Sequence, residues 1–126
     1  MESEQIYRLQ QGVSEVKIPK PPSEGEETLA LHLRANKIDF EREVSLIPGR
    51  KWRVDFLIGR LVVEVHGAIW KKGAHSTGTG LQRDYSKANA HVLAGYSVLQ
   101  YSTAQVIRGD AIRDVMKVTK RESESQ

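Results

Sequence analysis

Two alternating apolar runs, WRVDFLI and LVVEVH, separated only by Gly59-Arg60, constrain this chain more than any other feature. Alternation with a period of two marks strands whose successive side chains point to opposite faces. Trp52, Val54, Phe56 and Ile58 share one face of the first run, and Arg53, Asp55 and Leu57 share the other. A Gly-X pair suits a two-residue type II′ turn, whose first position needs a positive φ. The spacing therefore predicts an antiparallel hairpin of strands 52–58 and 61–66. Counting outward from the turn, Ile58 faces Leu61, Asp55 faces Glu64 and Arg53 faces His66.

That register sets two carboxylates against each other. Directly opposed side chains have Cβ atoms ~4.5–5.5 Å apart, and like charges there destabilise the pair. A hard divalent cation relieves the conflict, since Mg²⁺ commonly takes one or two carboxylates together with phosphate oxygens. A proton shared between the acids is a second solution. A solvated face with Arg53 neutralising both is a third. Glu64 and His66 are two apart and point the same way, with Val62, while Val63 and Val65 point the other way. Asp55, Glu64 and His66 thus converge, and a histidine beside bound metal and phosphate can orient or deprotonate water.

The remaining elements read around this hairpin. Ser23 is an N-cap with Glu26 three residues on, a capping-box pattern opening a helix through SEGEETLALHLRANKI, with Leu29, Leu31 and Leu33 as its apolar face. Glu26 is a candidate to complete the acidic site, although capping alone also accounts for it, and Glu27 points elsewhere. Residues 40–47 read as a strand, Pro48-Gly49 as a turn, 71–80 as a glycine-rich loop, and 81–93 as a helix closed by Gly95. A strand over 97–101 and a helix over 103–118 follow. The order is α-β-β-β-α-β-α, a single α/β (α+β) layered domain. An arm over 1–22, with a short helix around 4–11 and a Pro-rich stretch after it, precedes the domain at 23–119, and 120–126 reads as a flexible tail.

Composition narrows the chemistry. With 126 residues there is room for one domain, and no cysteine supplies a disulfide, a thiolate zinc site or a thiol nucleophile. That absence fits a reducing, cytoplasmic compartment. No apolar run approaches the ~18–20 residues of a membrane span, so no membrane partner is expected. Residues 1–27 hold three Lys/Arg and six Asp/Glu, a net of −3 against +3 for the whole chain, so residues 28–126 carry +6. A basic domain of this kind can meet a polyanion. Walker, G-x-G-x-x-G and G-x-S-x-G patterns are lacking, which leaves nucleotide hydrolysis, dinucleotide binding and serine hydrolysis without support.

From Glu26 to Tyr101 the chain resembles the PD-(D/E)XK nuclease superfamily, and within it the branch near the very-short-patch (Vsr-like) mismatch-repair endonucleases and related phage and bacterial endonucleases. PGRKWRVDF, EVHGAIW, a histidine after that tryptophan, DYSKAN and AGYSVLQYS carry the resemblance. It implies a restriction-endonuclease-like αβββαβ core with a central mixed four-stranded sheet flanked by helices. It implies a Mg²⁺-dependent DNA endonuclease, with Mn²⁺ as a substitute, acting in DNA repair or recombination. On that pattern Asp55 and Glu64 are metal ligands, with the backbone carbonyl of Val65 as a third, and Glu26 is the accessory acid. His66 stands where the superfamily motif usually has lysine, as it does in the mismatch-repair branch. Glu64 is kept where that branch lacks an acid, and Val54 replaces the usual proline before the aspartate.

Around the acids, Lys71, Lys72 and His75 are candidates to close over a DNA backbone, or else belong to a surface loop. Trp70 is either a duplex wedge, as the resemblance permits, or a core anchor. Lys87 either reaches a phosphate or pairs with Asp84 on the helix surface. Arg50, Lys51, Arg53 and Arg83 would extend a phosphate-binding rim. The leading expectation is an endonuclease sensing nicks, flaps, junctions or mismatches, or nicking duplex DNA; a homodimer would suit a junction. The alternatives are a non-catalytic nucleic-acid-binding module on the same fold and an interaction protein that uses the arm and the last helix.

Overall fold

The computed structural model describes residues 23–67 and 78–124. The expected arm over 1–22 and the candidates Trp70, Lys71, Lys72 and His75 lie outside them. Eight elements are present among the described residues: α1 (Glu24–Ala35), β1 (Glu41–Val44), β2 (Val54–Ile58), β3 (Leu61–His66), α2 (Gly78–Leu93), β4 (Ser97–Ser102), α3 (Thr103–Arg108) and α4 (Asp110–Glu124). The sheet order is β1-β2-β3-β4. β1, β2 and β3 form an antiparallel meander, and β4 pairs parallel to β3. The fold is therefore α+β, a mixed four-stranded sheet flanked by helices. Among the described residues no helix is long and apolar enough to cross a membrane.

The hairpin has the expected register. Ile58 pairs with Leu61, Leu57 with Val62 and Phe56 with Val63. Gly59 takes φ +60 while Arg60 does not enter the positive-φ region, as a type II′ turn requires. Arg60 then locks the turn to the rest of the sheet. Its Nε donates to the Gly95 carbonyl (3.1 Å) and its Nη2 to that of Ala94 (3.2 Å). The guanidinium lies 4.6 Å from the centre of the Tyr96 ring, and the Arg60 carbonyl accepts from the Ser97 N–H (2.9 Å). A cation at carbonyls left open by a helix end is favoured by hydrogen bonding and by the helix dipole together.

Two apolar layers sandwich the sheet. Phe56, Ile58, Leu61, Val63 and Val65 pack with Leu29, Ala30 and Leu33 of α1 and with Val106, Ala111 and Val115 of α3 and α4. On the other side, Val54, Leu57 and Val62 pack with Val44, Leu46, Tyr96 and Val98. Burying a Val or Leu side chain contributes about 1.5–3 kcal/mol, so the apolar faces of β2 and β3 hold the hairpin firmly in place.

Several boundaries differ from the sequence pattern. β2 begins at Val54, not at Trp52, and Arg53 makes no ladder pair with His66. Val54 and Phe56, expected on one face, pack in opposite layers. The alternation breaks at Asp55, next to the irregular point of β1 where Glu43 takes φ +55. Leu31 is 63% exposed; two residues along a helix turn the side chain by roughly 200°, away from Leu29 and Leu33. The last helix is two. Gly109 takes φ +98 and ends α3, with its N–H directed at the Gln105 and Val106 carbonyls. Only glycine enters that left-handed region without strain. α4 then runs on to Glu124, beyond the expected end at 118.

Replacing Arg60 with alanine removes both carbonyl contacts and the Tyr96 stack. Urea unfolding should show a loss of about 1 kcal/mol; an unchanged midpoint would mean that the turn is held by the apolar faces alone.

Candidate active site

The site forms where the β2–β3 ladder stops. Beyond the Phe56–Val63 pair the two strands exchange side-chain bonds in place of ladder bonds. The Asp55 N–H donates to Glu64 Oε1 (3.2 Å), and the Val65 N–H donates to Asp55 Oδ2 (2.8 Å). Each acid thus satisfies a backbone donor on the opposite strand, at a place where an unpaired buried N–H would cost as much as a missing hydrogen bond. The hairpin register makes this exchange possible, because Asp55 and Glu64 are the next residues outward from the Phe56–Val63 pair.

Lys87 of α2 closes the site from above. Its Nζ lies 3.3 and 3.2 Å from the two Glu64 carboxylate oxygens and donates to the Arg53 carbonyl at 2.6 Å. The two arrangements its sequence position suggests, a phosphate contact or a pair with Asp84, are thus joined by a third. Glu64 is buried. Burial pushes its carboxyl above the ordinary range, the charge of Asp55 adds to the rise, and Lys87 opposes it. His66 Nε2 meets Gln100 Oε1 at 2.8 Å, with Gln100 on β4 opposite Glu64. A cleft of about 220 Å³ opens here, lined by Asp55, Glu64, Val65, His66, Asp84, Lys87 and Gln100.

His91, one helical turn beyond Lys87, forms part of the same lining. It is 1% exposed, and its Nδ1 bonds the Lys87 carbonyl at 2.7 Å. That carbonyl only accepts, so Nδ1 carries the hydrogen. The ring packs between Trp52 and Tyr96, each centre 6.3 Å away. His91 therefore braces the turn of helix that carries Lys87.

A second group of acids meets Asp55. Ligand atoms of Glu26, Glu43 and Asp55 all lie within 4.8 Å of one another. Ser23 accepts the Glu26 N–H at 3.2 Å, the expected cap, which fixes Glu26 at the first turn of α1. Burial raises the Glu26 pKa, the charges of Asp55 and Glu43 raise it further, and Arg42 and Ser23 draw it back. Arg42 also pairs with Glu27 at 3.0 Å, so one guanidinium meets both acids at the start of α1.

The donor set consists of carboxylate oxygens, with the Val65 carbonyl and one imidazole nearby and no thiol. Such a set fits a hard cation of the Mg²⁺ or Mn²⁺ type better than zinc. Asp55 belongs to both acidic groups and is the residue any such ion would share.

Of the sequence candidates, Asp55, Glu64, His66 and Lys87 are brought together, and Glu26 joins them through Asp55. Arg50 stacks over Trp52, 4.6 Å from its ring centre. Lys51, Arg53 and Arg83 are exposed and do not line the cleft. Glu43, Gln100 and His91 were not legible as site residues. His91 had a usable signal, four residues after Lys87 and so on its helical face; Glu43 and Gln100 had none, because their place depends on strand pairing.

No known family pattern matches this sequence, and no curated protein matches it. Among solved structures the chain is similar to the catalytic domain of the homing endonuclease I-Bth0305I. The TM-score is 0.58 at 21% identity, over 76% of this chain and 92% of that one. At that identity the likeness establishes the fold.

The raised pKa of Glu26 carries a sign. A carboxyl raised in the folded state binds protons more readily there than when unfolded, so stability falls as pH rises from the unfolded value through the folded one. Glu26→Gln should therefore be more stable than the parent at neutral pH, and the difference should shrink as pH falls through the raised folded value to the ordinary glutamate range. Urea midpoints across that range read this directly; a variant less stable at neutral pH would contradict the assigned repulsion.

Proposed function

We propose that the protein is a divalent-cation-dependent DNA endonuclease, with Asp55 and Glu64 as principal ligands. The crossed pairing of these two acids with the opposite strand's N–H groups, beside Lys87 and His66, carries the reading. The fold shared with a homing endonuclease catalytic domain supports it.

In this reading Asp55 and Glu64, with the Val65 carbonyl, would hold the ion, and Glu26 and Glu43 would add negative charge beside Asp55. A bound ion would offset the charge that grows on the phosphoryl and leaving oxygens and make coordinated water more acidic. His66 takes a proton from the attacking water as its oxygen bonds to phosphorus. One phosphorus–oxygen ester bond breaks, and the leaving oxygen takes a proton from solvent water. Gln100 orients the imidazole. Lys87 opposes the rise in the Glu64 pKa and brings a positive charge to the edge of the cleft, a role that lysine at position 66 would otherwise fill. His91 is a positioning residue acting through Lys87.

The substrate we propose is DNA with a local irregularity such as a nick, flap, junction or mismatch, or a duplex to be nicked, in repair or recombination. Arg50, Lys51, Arg53 and Arg83 would contact flanking phosphates, together with Trp70, Lys71, Lys72 and His75 of the loop. A homodimer would present two such clefts to a junction, and a cytoplasmic setting fits the lack of cysteine. The non-catalytic alternative, a binding module on this fold, is separated by experiment.

Purified protein should convert supercoiled plasmid to nicked circles with Mg²⁺ or Mn²⁺ and not with a chelator. Asp55→Asn and Glu64→Gln should each lower the rate by roughly 10²–10³-fold, and His66→Ala by about 10²-fold or more, with folding checked by circular dichroism. DNA binding without cleavage in every metal, on plasmid and on branched and nicked duplexes alike, would overturn the enzyme in favour of the binding module.

A further inference from the structure

A second charged surface lies away from the cleft. The groove between the end of α1 and α4 is lined by Ile38, Lys117 and Lys120 among others, and the neighbouring groove by Ile38, Arg34, Lys37 and Arg42. The two share Ile38 and so run into each other. Together their linings hold five cations against one acid, Asp39. Arg34, Lys37 and Lys120 make no ion pair within 4 Å among the described residues. Their charge is therefore presented to solvent rather than neutralised within the fold.

Lys37 supplies an independent sign. It follows the cap residue Asn36, and its φ of +57 places it in the left-handed region. Its N–H donates to the Arg34 carbonyl (3.0 Å) and the Ile38 N–H to the Leu33 carbonyl (3.0 Å), which close the end of α1. That position favours glycine, since a Cβ is strained there. The chain carries a lysine where stability alone would favour glycine.

The grooves also lead to the acids. Arg42 lines the second groove, and its guanidinium lies 3.6 Å from Glu26. From Glu26 to Lys37 along α1 is about 16 Å at 1.5 Å per residue. On a duplex strand that advances about 3.4 Å per phosphate, this spans roughly four to five nucleotides.

We propose that this track, Arg42–Arg34–Lys37–Lys120–Lys117, holds the phosphodiester backbone of duplex DNA flanking the reacting phosphate. The inference rests on the nuclease reading and adds a binding surface to it, distinct from the rim around Arg50 and Arg83. Phosphate contacts fix register on a duplex without reading its sequence, so the track anchors DNA of any sequence.

Fluorescence anisotropy with a labelled duplex, in chelator and across a salt series, tests it on the full chain. Lys37→Gly and the pair Lys117→Ala with Lys120→Ala should each weaken binding several-fold, with a log–log salt slope shallower by about 0.9 for each phosphate no longer neutralised. Lys37→Gly should at the same time melt higher than the parent, so weaker binding cannot come from unfolding. Unchanged affinity and slope in both variants would overturn the track and leave the nuclease reading standing. Weakened binding in a protein that never cleaves would support the track and overturn the nuclease reading.

Discussion

The structure depends on the exchange in which Asp55 and Glu64 each accept a backbone N–H across the end of the β2–β3 hairpin. Two facing acids in an apolar hairpin would ordinarily push the strands apart. Here the repulsion falls where the ladder is already opening, and the carboxylates fill the hydrogen bonds the ladder no longer makes. A slip of one residue in register would send one acid to the opposite face. The two-residue turn and the grip of Arg60 on the end of α2 oppose that slip. Fold stability and the candidate chemistry thus rest on the same register.

The cleft is built at some cost to the fold. Glu64 is buried, and both it and Glu26 have pKa values raised by burial and by the charge of Asp55. Lys87 offsets part of this for Glu64, and Arg42 does so for Glu26. A protein shaped for stability alone would not gather Glu26, Glu43 and Asp55 within 4.8 Å of one another and set Glu64 beside Asp55. Sites of this kind, with titrating groups pushed from their ordinary range in a cleft, are where function concentrates. The oxygen donors direct that inference toward a hard divalent cation.

The sequence made the local parts of this arrangement legible. The hairpin, its turn and the Asp55–Glu64 juxtaposition follow from spacing within fifteen residues, from Trp52 to His66, and the Ser23 cap places Glu26 by the same kind of local rule. What depends on tertiary pairing was hidden. Lys87 meets Glu64 only because α2 packs against the sheet at β4, Gln100 reaches His66 only because β4 pairs parallel to β3, and Glu43 joins Asp55 through an irregular β1. Gly109 was a readable break that an otherwise apolar helical pattern masked. Leu31 shows the opposite error, an apolar residue assigned to a face that helical geometry denies it.

Manganese-induced broadening of backbone amide resonances tests the central claim most directly. Sub-stoichiometric Mn²⁺ added to the isotope-labelled protein should first broaden the amides of Asp55, Glu64 and Val65, and leave those around Asp110 and Asp114 of α4 sharp. Broadening spread evenly over exposed acids, or centred on α4, would contradict a cation site built by the opposed carboxylates of the hairpin.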